Sequence, residues 1–261
     1  MKQPLLDINN VEISYSGKSV VHDLSFQVQP GEILGIVGES GSGKSTVLKA
    51  AMGLLGKNGM VTKGEILYKG IHVANAKEED LRKLRGPEMG MIFQNTSASL
   101  CPVRKIDDQL YETVSQHEKV SRREVRDRAL MLLEKMKLTE GERVLKSYPF
   151  ELSGGMNQRV GIMMAMILNP DLLLADEPTS ALDVTVQAQV IKEMVKMREL
   201  FGTGIVIVTH NIGVVEYMAD KVAVMYQGKL VEYGTKEEVI YHPQQAYTKK
   251  LIGAVLHLSK G

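Results

Sequence analysis

Short apolar runs and amphipathic stretches alternate along the chain. Near the start, "LLDINNVEISY", "VVHDLSFQV" and "EILGIVG" are rich in β-branched residues and broken by Ser16-Gly17 and Pro30-Gly31, which predicts strands joined by tight turns. The third run leads directly into "TVLKAAMGLL", a predicted helix after Lys44, and "GEILYKGIHV" from Gly64 returns to strand. Residues 77–85 and 121–137 are charged, with apolar residues at helical spacing such as Val125, Ala129, Leu132, Leu133 and Met136. The middle of the chain is therefore expected to be helical, with a subdomain over about residues 95–165. Beyond it, "DLLLADEP" and "GIVIVTHN" are apolar without alternation, as strands buried on both faces are, and Val184–Leu200 between them reads as a helix. Strand, helix, strand in succession predicts an α/β fold: a mainly parallel sheet wrapped by helices, to which the first strands add an antiparallel layer. No repeat, low-complexity segment or long linker interrupts the 261 residues, so one domain is expected.

Composition narrows the partners. Lys and Arg total 32 against 31 Asp and Glu, a balance without the broad basic surface that nucleic-acid binding needs, so no nucleic-acid partner is expected. The single cysteine, Cys101, excludes an internal disulfide framework or a cysteine-built metal cluster and fits a reducing compartment. No run approaches the roughly 18 apolar residues that span a bilayer, and the N-terminus lacks a signal-peptide core. A cytoplasmic chain that meets any membrane through a protein partner is the expectation.

Chemistry concentrates first in "GESGSGKST", which fits the phosphate-loop pattern: Gly38, then Glu39, Ser40, Gly41 and Ser42, then Gly43, Lys44, Ser45 and Thr46. Glycines let backbone amides close on phosphate oxygens, and the helix that follows points its positive end at them. Lys44 supplies a point charge for the β and γ phosphates, and Ser45 a hydroxyl for Mg²⁺. The loop follows a strand and precedes a helix, which is the context such a site requires. A carboxylate for the metal is expected at the end of a neighbouring strand, where "LLLADEP" offers Asp176, and Glu177 beside it can polarise the attacking water. Strand alternation is taken to turn Glu177 away from Asp176. Gln94 ends "MGMIFQ" and can reach both Mg²⁺ and the water; His210 after "IVIVT" can hydrogen-bond the γ phosphate. Tyr15, placed in a turn before the sheet, can stack on adenine.

A second anion-friendly helix start lies far downstream, in "ELSGGMNQRVGIMMAMIL": Ser153, Gly154, Gly155 and Met156 open it. Its apolar residues Val160, Ile162, Met163, Met166 and Ile167 read as core packing. A chain with one phosphate loop has no use of its own for this second helix start.

Together, "GESGSGKS", Gln94, "LSGGM", "LLLADE", "SALD" at positions 180–183 and His210 resemble, in order and spacing, the ATPase subunit of an ABC transporter, over essentially the whole chain. The resemblance implies a P-loop NTPase fold of the ABC type with a helical signature subdomain, ATP and Mg²⁺ as cofactors, and two cassettes meeting head to tail so that the signature of one completes the nucleotide site of the other. The role of the second helix start follows: its free amides and dipole favour a γ phosphate held across the dimer.

"LSGGM" with Gln158-Arg159, "LRKLRGPEMGMIFQ" and "HPQQAYTKKLIGAV" look like the ATPases of oligopeptide, dipeptide and nickel importers. That branch implies a paralogous second ATPase subunit, with a homodimer as the other option, integral-membrane permease subunits, and an extracellular substrate-binding protein reached indirectly, all at the cytoplasmic face of the membrane. The chain departs from the branch at Asn95-Thr96, at Cys101 and at Gln245-Ala246, none of which touches phosphate by this reading. With no cysteine after Cys101, the iron–sulfur cluster of some relatives is not expected. The competing reading is a non-transport ABC ATPase acting on DNA or ribosomes, which the short interval from Gln94 to Ser153 disfavours because it leaves no room for a long coiled coil.

Overall fold

The structure, a computed structural model, describes residues 3–74, 76–180 and 182–256. Ala181, inside the "SALD" motif, lies outside the described residues. The chain forms two units, Met1–Leu81 with Gly204–Gly261, and Arg82–Thr203.

In the first unit, β1 (Leu6–Tyr15) and β2 (Lys18–Val28) form an antiparallel hairpin. Its two-residue loop has positive φ at both Ser16 (48°) and Gly17 (79°), the backbone whose twist matches that of the flanking strands. The Pro30-Gly31 turn, closed by the Glu32 amide donating to Gln29 O, delivers the chain to β3 (Ile33–Val37), and α1 (Lys44–Ala51) follows. Next come β4 (Gly59–Tyr68) and β5 (Ile71–His72), giving an antiparallel sheet in the order β2-β1-β4-β5. β4 begins five residues before the strand predicted from Gly64, on Gly59, which pairs with Tyr15. The chain passes to the second unit within α2 (Glu78–Leu84).

The second unit opens with β6 (Met89–Ile92) and runs through α3 (Thr96–Ser99), α4 (Ile106–Ser115), α5 (Arg122–Lys135), α6 (Gly141–Lys146) and α7 (Gly154–Met166). Ser121 and Glu124 form a capping box at the start of α5, whose buried residues include Val125, Ala129, Leu132 and Leu133. Arg126 of α5 pairs with Asp107 on α4 and Glu142 on α6, tying the three helices together. β7 (Leu172–Asp176) lies parallel to β6, and α8 (Val184–Phe201) ends at Gly202.

The chain then returns to the first unit with β8 (Gly204–Val208), α9 (Ile212–Met218), β9 (Lys221–Tyr226), β10 (Lys229–Thr235), a single π-helical turn at Glu237–Tyr241 and α10 (Ala246–Leu256). β3 pairs in parallel with both β8 and β9, and β10 pairs antiparallel with β9. Every residue of β3, β7 and β8 is buried, which accounts for their unbroken apolar runs. Val160, Ile162, Met163, Met166 and Ile167 are core residues, each at most 1% exposed.

Candidate functional site

The phosphate loop fills the turn between the buried β3 and α1. Gly38 at its start has φ of 149°, and a Cβ there would stand 2.0 Å from the Met225 carbonyl oxygen, so only glycine fits against β9. At the other end, Lys44 is 5% exposed and its ammonium is drawn over the loop: Nζ donates to Gly38 O (2.8 Å) and Glu39 O (2.7 Å). Ser42 Oγ lies 3.4 Å from the same nitrogen. A buried cation held among loop oxygens is a charge presented at the head of a helix, the arrangement an anionic phosphate chain selects. Ser45 and Thr46 sit half-buried on the first turn of α1. The loop is also held from the β9–β10 turn, where the Gly228 amide donates to Ser42 O.

Two further predicted residues lie in this unit. His210 is exposed just past β8, between Thr209, whose amide donates to Ile36 O, and Asn211, whose side chain caps α9. Tyr15 is half-buried and is the last residue of β1, inside the antiparallel sheet, where the sequence suggested a turn before it. A Cβ on Gly59 would come within 2.8 Å of its Cε1, so the ring rests over a glycine of β4.

The second unit carries the remaining residues. Asp176 ends β7 as a carboxylate only 5% exposed. Glu177 follows with φ of 45°, a left-handed conformation that a non-glycine residue adopts at a cost of roughly 1–2 kcal/mol. Strand alternation therefore does not aim Glu177, since β7 has already ended; the left-handed turn does. That turn is fixed by its own carbonyl, which accepts from the Ser180 amide and from Ser180 Oγ, each at 3.2 Å. Gln94, exposed two residues past β6, donates through Nε2 to Glu177 Oε2 at 3.2 Å, so the structure brings these two predicted residues together.

Ser153 is the N-cap of α7, its Oγ accepting from the Met156 amide at 3.3 Å. Gly154 and Gly155 head the helix, where amides have no carbonyl a turn earlier to bond. Ser153 and Gly154 are exposed, while Gly155 faces α8: a Cβ there would stand 2.8 Å from Val186 Cγ1. Asn157 braces the approach to the helix by donating to Pro149 O and Leu152 O. Of the "SALD" residues, Asp183 caps α8 by accepting from the Val186 amide, and Ser180 bonds Glu177 as above.

Two contacts had no counterpart in the sequence reading. Thr96, two residues after Gln94, is buried and donates to Gln158 Oε1 on α7 at 2.8 Å, linking the Gln94 segment to the signature helix. Its place among the residues that depart from the importer pattern was the available signal. Tyr247 on α10 bonds the Glu39 amide, across an interval too long for local spacing to reveal.

A glycine-rich loop between a buried parallel strand and a helix, with a buried lysine at its head, defines a P-loop ATPase. The chain belongs to the ABC transporter family, whose model matches residues 21–180. The dipeptide transport ATP-binding protein DppD of Lactococcus lactis is 42% identical over 97% of this chain and 74% of its own length. The oligopeptide transport ATP-binding protein OppD of Salmonella typhimurium is 42% identical over 97% of this chain and 77% of its own. Among solved structures, a dimeric ATP-binding cassette bound to ADP and phosphate superposes with a TM-score of 0.77 at 28% identity, covering 88% of this chain and 98% of that one. The Clostridium perfringens protein cbiO1, part of an ABC transporter complex, superposes with a TM-score of 0.81 at 25% identity over 100% of both chains.

Proposed function

We propose that this chain is the ATP-hydrolysing subunit of an importer, that it pairs head to tail with a second cassette around two ATP molecules, and that it powers a permease taking up di- or oligopeptides or a nickel complex. The observation that carries the reading is the 42% identity, over nearly the whole chain, to ATP-binding proteins named for dipeptide and oligopeptide transport. Nickel enters through the sequence resemblance alone.

In this reading the loop from Gly38 to Thr46 binds the nucleotide and Tyr15 stacks on adenine. Magnesium would be held by hard oxygens, those of the Ser45 hydroxyl, the Asp176 carboxylate and the Gln94 amide, and would neutralise charge developing on the phosphates. Glu177 accepts a proton from the attacking water, and Gln94, already bonded to it, orients that water. His210 donates to the γ phosphate. Ser153, Gly154, Gly155 and Met156 open the helix that binds the partner's nucleotide, with Gly154 and Gly155 offering helix-terminal amides. No described helix is long and apolar enough to cross a membrane. In this reading the subunit docks on the permease through the helical subdomain, residues 95–165, peripherally at the cytoplasmic face of the membrane.

Reconstitution with the partner ATPase and permease tests the reading. MgATP hydrolysis is expected at least about a hundredfold above a Glu177→Gln control, the lower range for loss of a general base. Turnover equal to the control rejects the catalytic assignment, and uptake of neither peptide nor nickel rejects the cargo.

A further inference from the structure

The phosphate loop is gripped on its outer side by a residue 208 positions away in sequence. The Glu39 amide, one residue into the loop, donates to Tyr247 Oη at 3.1 Å. Tyr247 is the second residue of α10, and its ring packs on Tyr226 at the end of β9, centroids 4.3 Å apart and planes tilted by 33°. Tyr226 borders the turn whose Gly228 amide donates to Ser42 O, and the neighbouring Met225 carbonyl is the atom that excludes a Cβ at Gly38. The loop is thus fixed at two backbone points, Ser42 O from the hairpin and Glu39 N from α10, with the tyrosine pair joining the two supports.

We infer that Tyr247 is a positioning residue for the phosphate loop: by taking the Glu39 amide it holds the loop in its phosphate-binding shape, so that nucleotide affinity depends on α10 being seated. The inference rests on the nucleotide reading of Gly38 to Thr46. Its physical basis is preorganisation. A loop of glycines has many conformations, and each backbone group pinned beforehand is one that ATP does not have to order on binding. Burial also holds the Tyr247 phenol above its ordinary pKa, so the oxygen that accepts the amide stays neutral at physiological pH. Phenylalanine keeps the ring contact and removes only that acceptor.

The experiment compares full-length wild type, Tyr247→Phe and Tyr247→Leu for equilibrium binding of a fluorescent ATP analogue, for KM and kcat with the partner subunits, and for Tm. Tyr247→Phe is expected to weaken nucleotide affinity about three- to tenfold, the factor for one net hydrogen bond, with kcat at saturating ATP unchanged and Tm lowered by no more than about 4 °C. Tyr247→Leu, which also strips the ring from Tyr226, is expected to weaken affinity further. Wild-type affinity in Tyr247→Phe overturns the inference, as does an affinity loss that only tracks a fall in Tm across the two variants. Wild-type protein that binds no ATP removes the nucleotide reading itself, and this inference with it.

Discussion

Lys44 is the residue whose chemistry its surroundings express most directly. The residue is almost wholly buried, and its ammonium donates to the Gly38 and Glu39 carbonyl oxygens of the loop. Removing the charge leaves those oxygens facing one another with no cation, so Lys44→Ala is expected to lower ATP affinity by at least about tenfold, the scale of a charge-assisted contact. Equilibrium titration reads this, and undiminished affinity contradicts the role. Glu177 differs in kind, because its backbone is strained and its carboxylate is tied to Gln94. Glycine at 177 relieves the left-handed φ yet removes the proposed base. Glu177→Gly is therefore expected to unfold at higher denaturant than Glu177→Gln while both fail to hydrolyse ATP, a split between stability and activity that marks the strain as functional.

Between elements, the buried pair Arg159–Glu193 fastens α7 to α8, with Nε donating to both carboxylate oxygens at 3.1 and 3.0 Å. Burial outweighs the favourable arginine and holds the Glu193 carboxyl above its ordinary value of 4.5. The folded state thus binds this proton more tightly than the unfolded one, so the group's contribution to stability falls as pH rises from 4.5 through the folded value. Arg159→Met strands the carboxylate and is expected to cost about 3–5 kcal/mol at neutral pH, less towards pH 5 where the carboxyl can take up a proton. Adding Glu193→Leu should recover most of the loss, and denaturant midpoints at the two pH values measure both effects.

The start of α7 offers a second test at this scale. A Cβ at Gly155 meets Val186 at 2.8 Å, whereas one at Gly154 finds its nearest neighbour, Leu182 Cδ2, at 3.7 Å. Gly155→Ala should therefore destabilise the isolated chain by about 1–3 kcal/mol through overpacking against a stiff side chain. Gly154→Ala should leave its Tm unchanged and show its effect only when a partner's nucleotide must approach.

For the whole molecule, the proposed function requires two cassettes. A Ser153→Arg chain should keep wild-type nucleotide affinity as a monomer while failing to pair when ATP is added, because the intrusion lies at an exposed helix start and leaves the phosphate loop untouched. Size-exclusion chromatography in a Glu177→Gln background, expected to hold ATP without turnover, reads this directly, and normal pairing rejects the head-to-tail arrangement.

Much of this was legible in the chain itself. The sequence by itself determined the all-buried strands, because a strand covered on both faces tolerates no polar position, and it located the glycine-rich loop between β3 and α1, because glycines at set intervals mark backbone that other residues rarely adopt. It also marked Gln94, Asp176, Glu177 and Ser153 as polar residues at ends of apolar elements. Tertiary structure alone decided how they are held. Glu177 is aimed by a left-handed turn past the strand, Thr96 reaches Gln158, and Tyr247 comes back from the far end of the chain to the Glu39 amide. Such contacts join positions whose separation carries no periodicity: apolar patterning encodes which face of an element is buried, but says nothing about which distant hydroxyl meets which amide once the faces close.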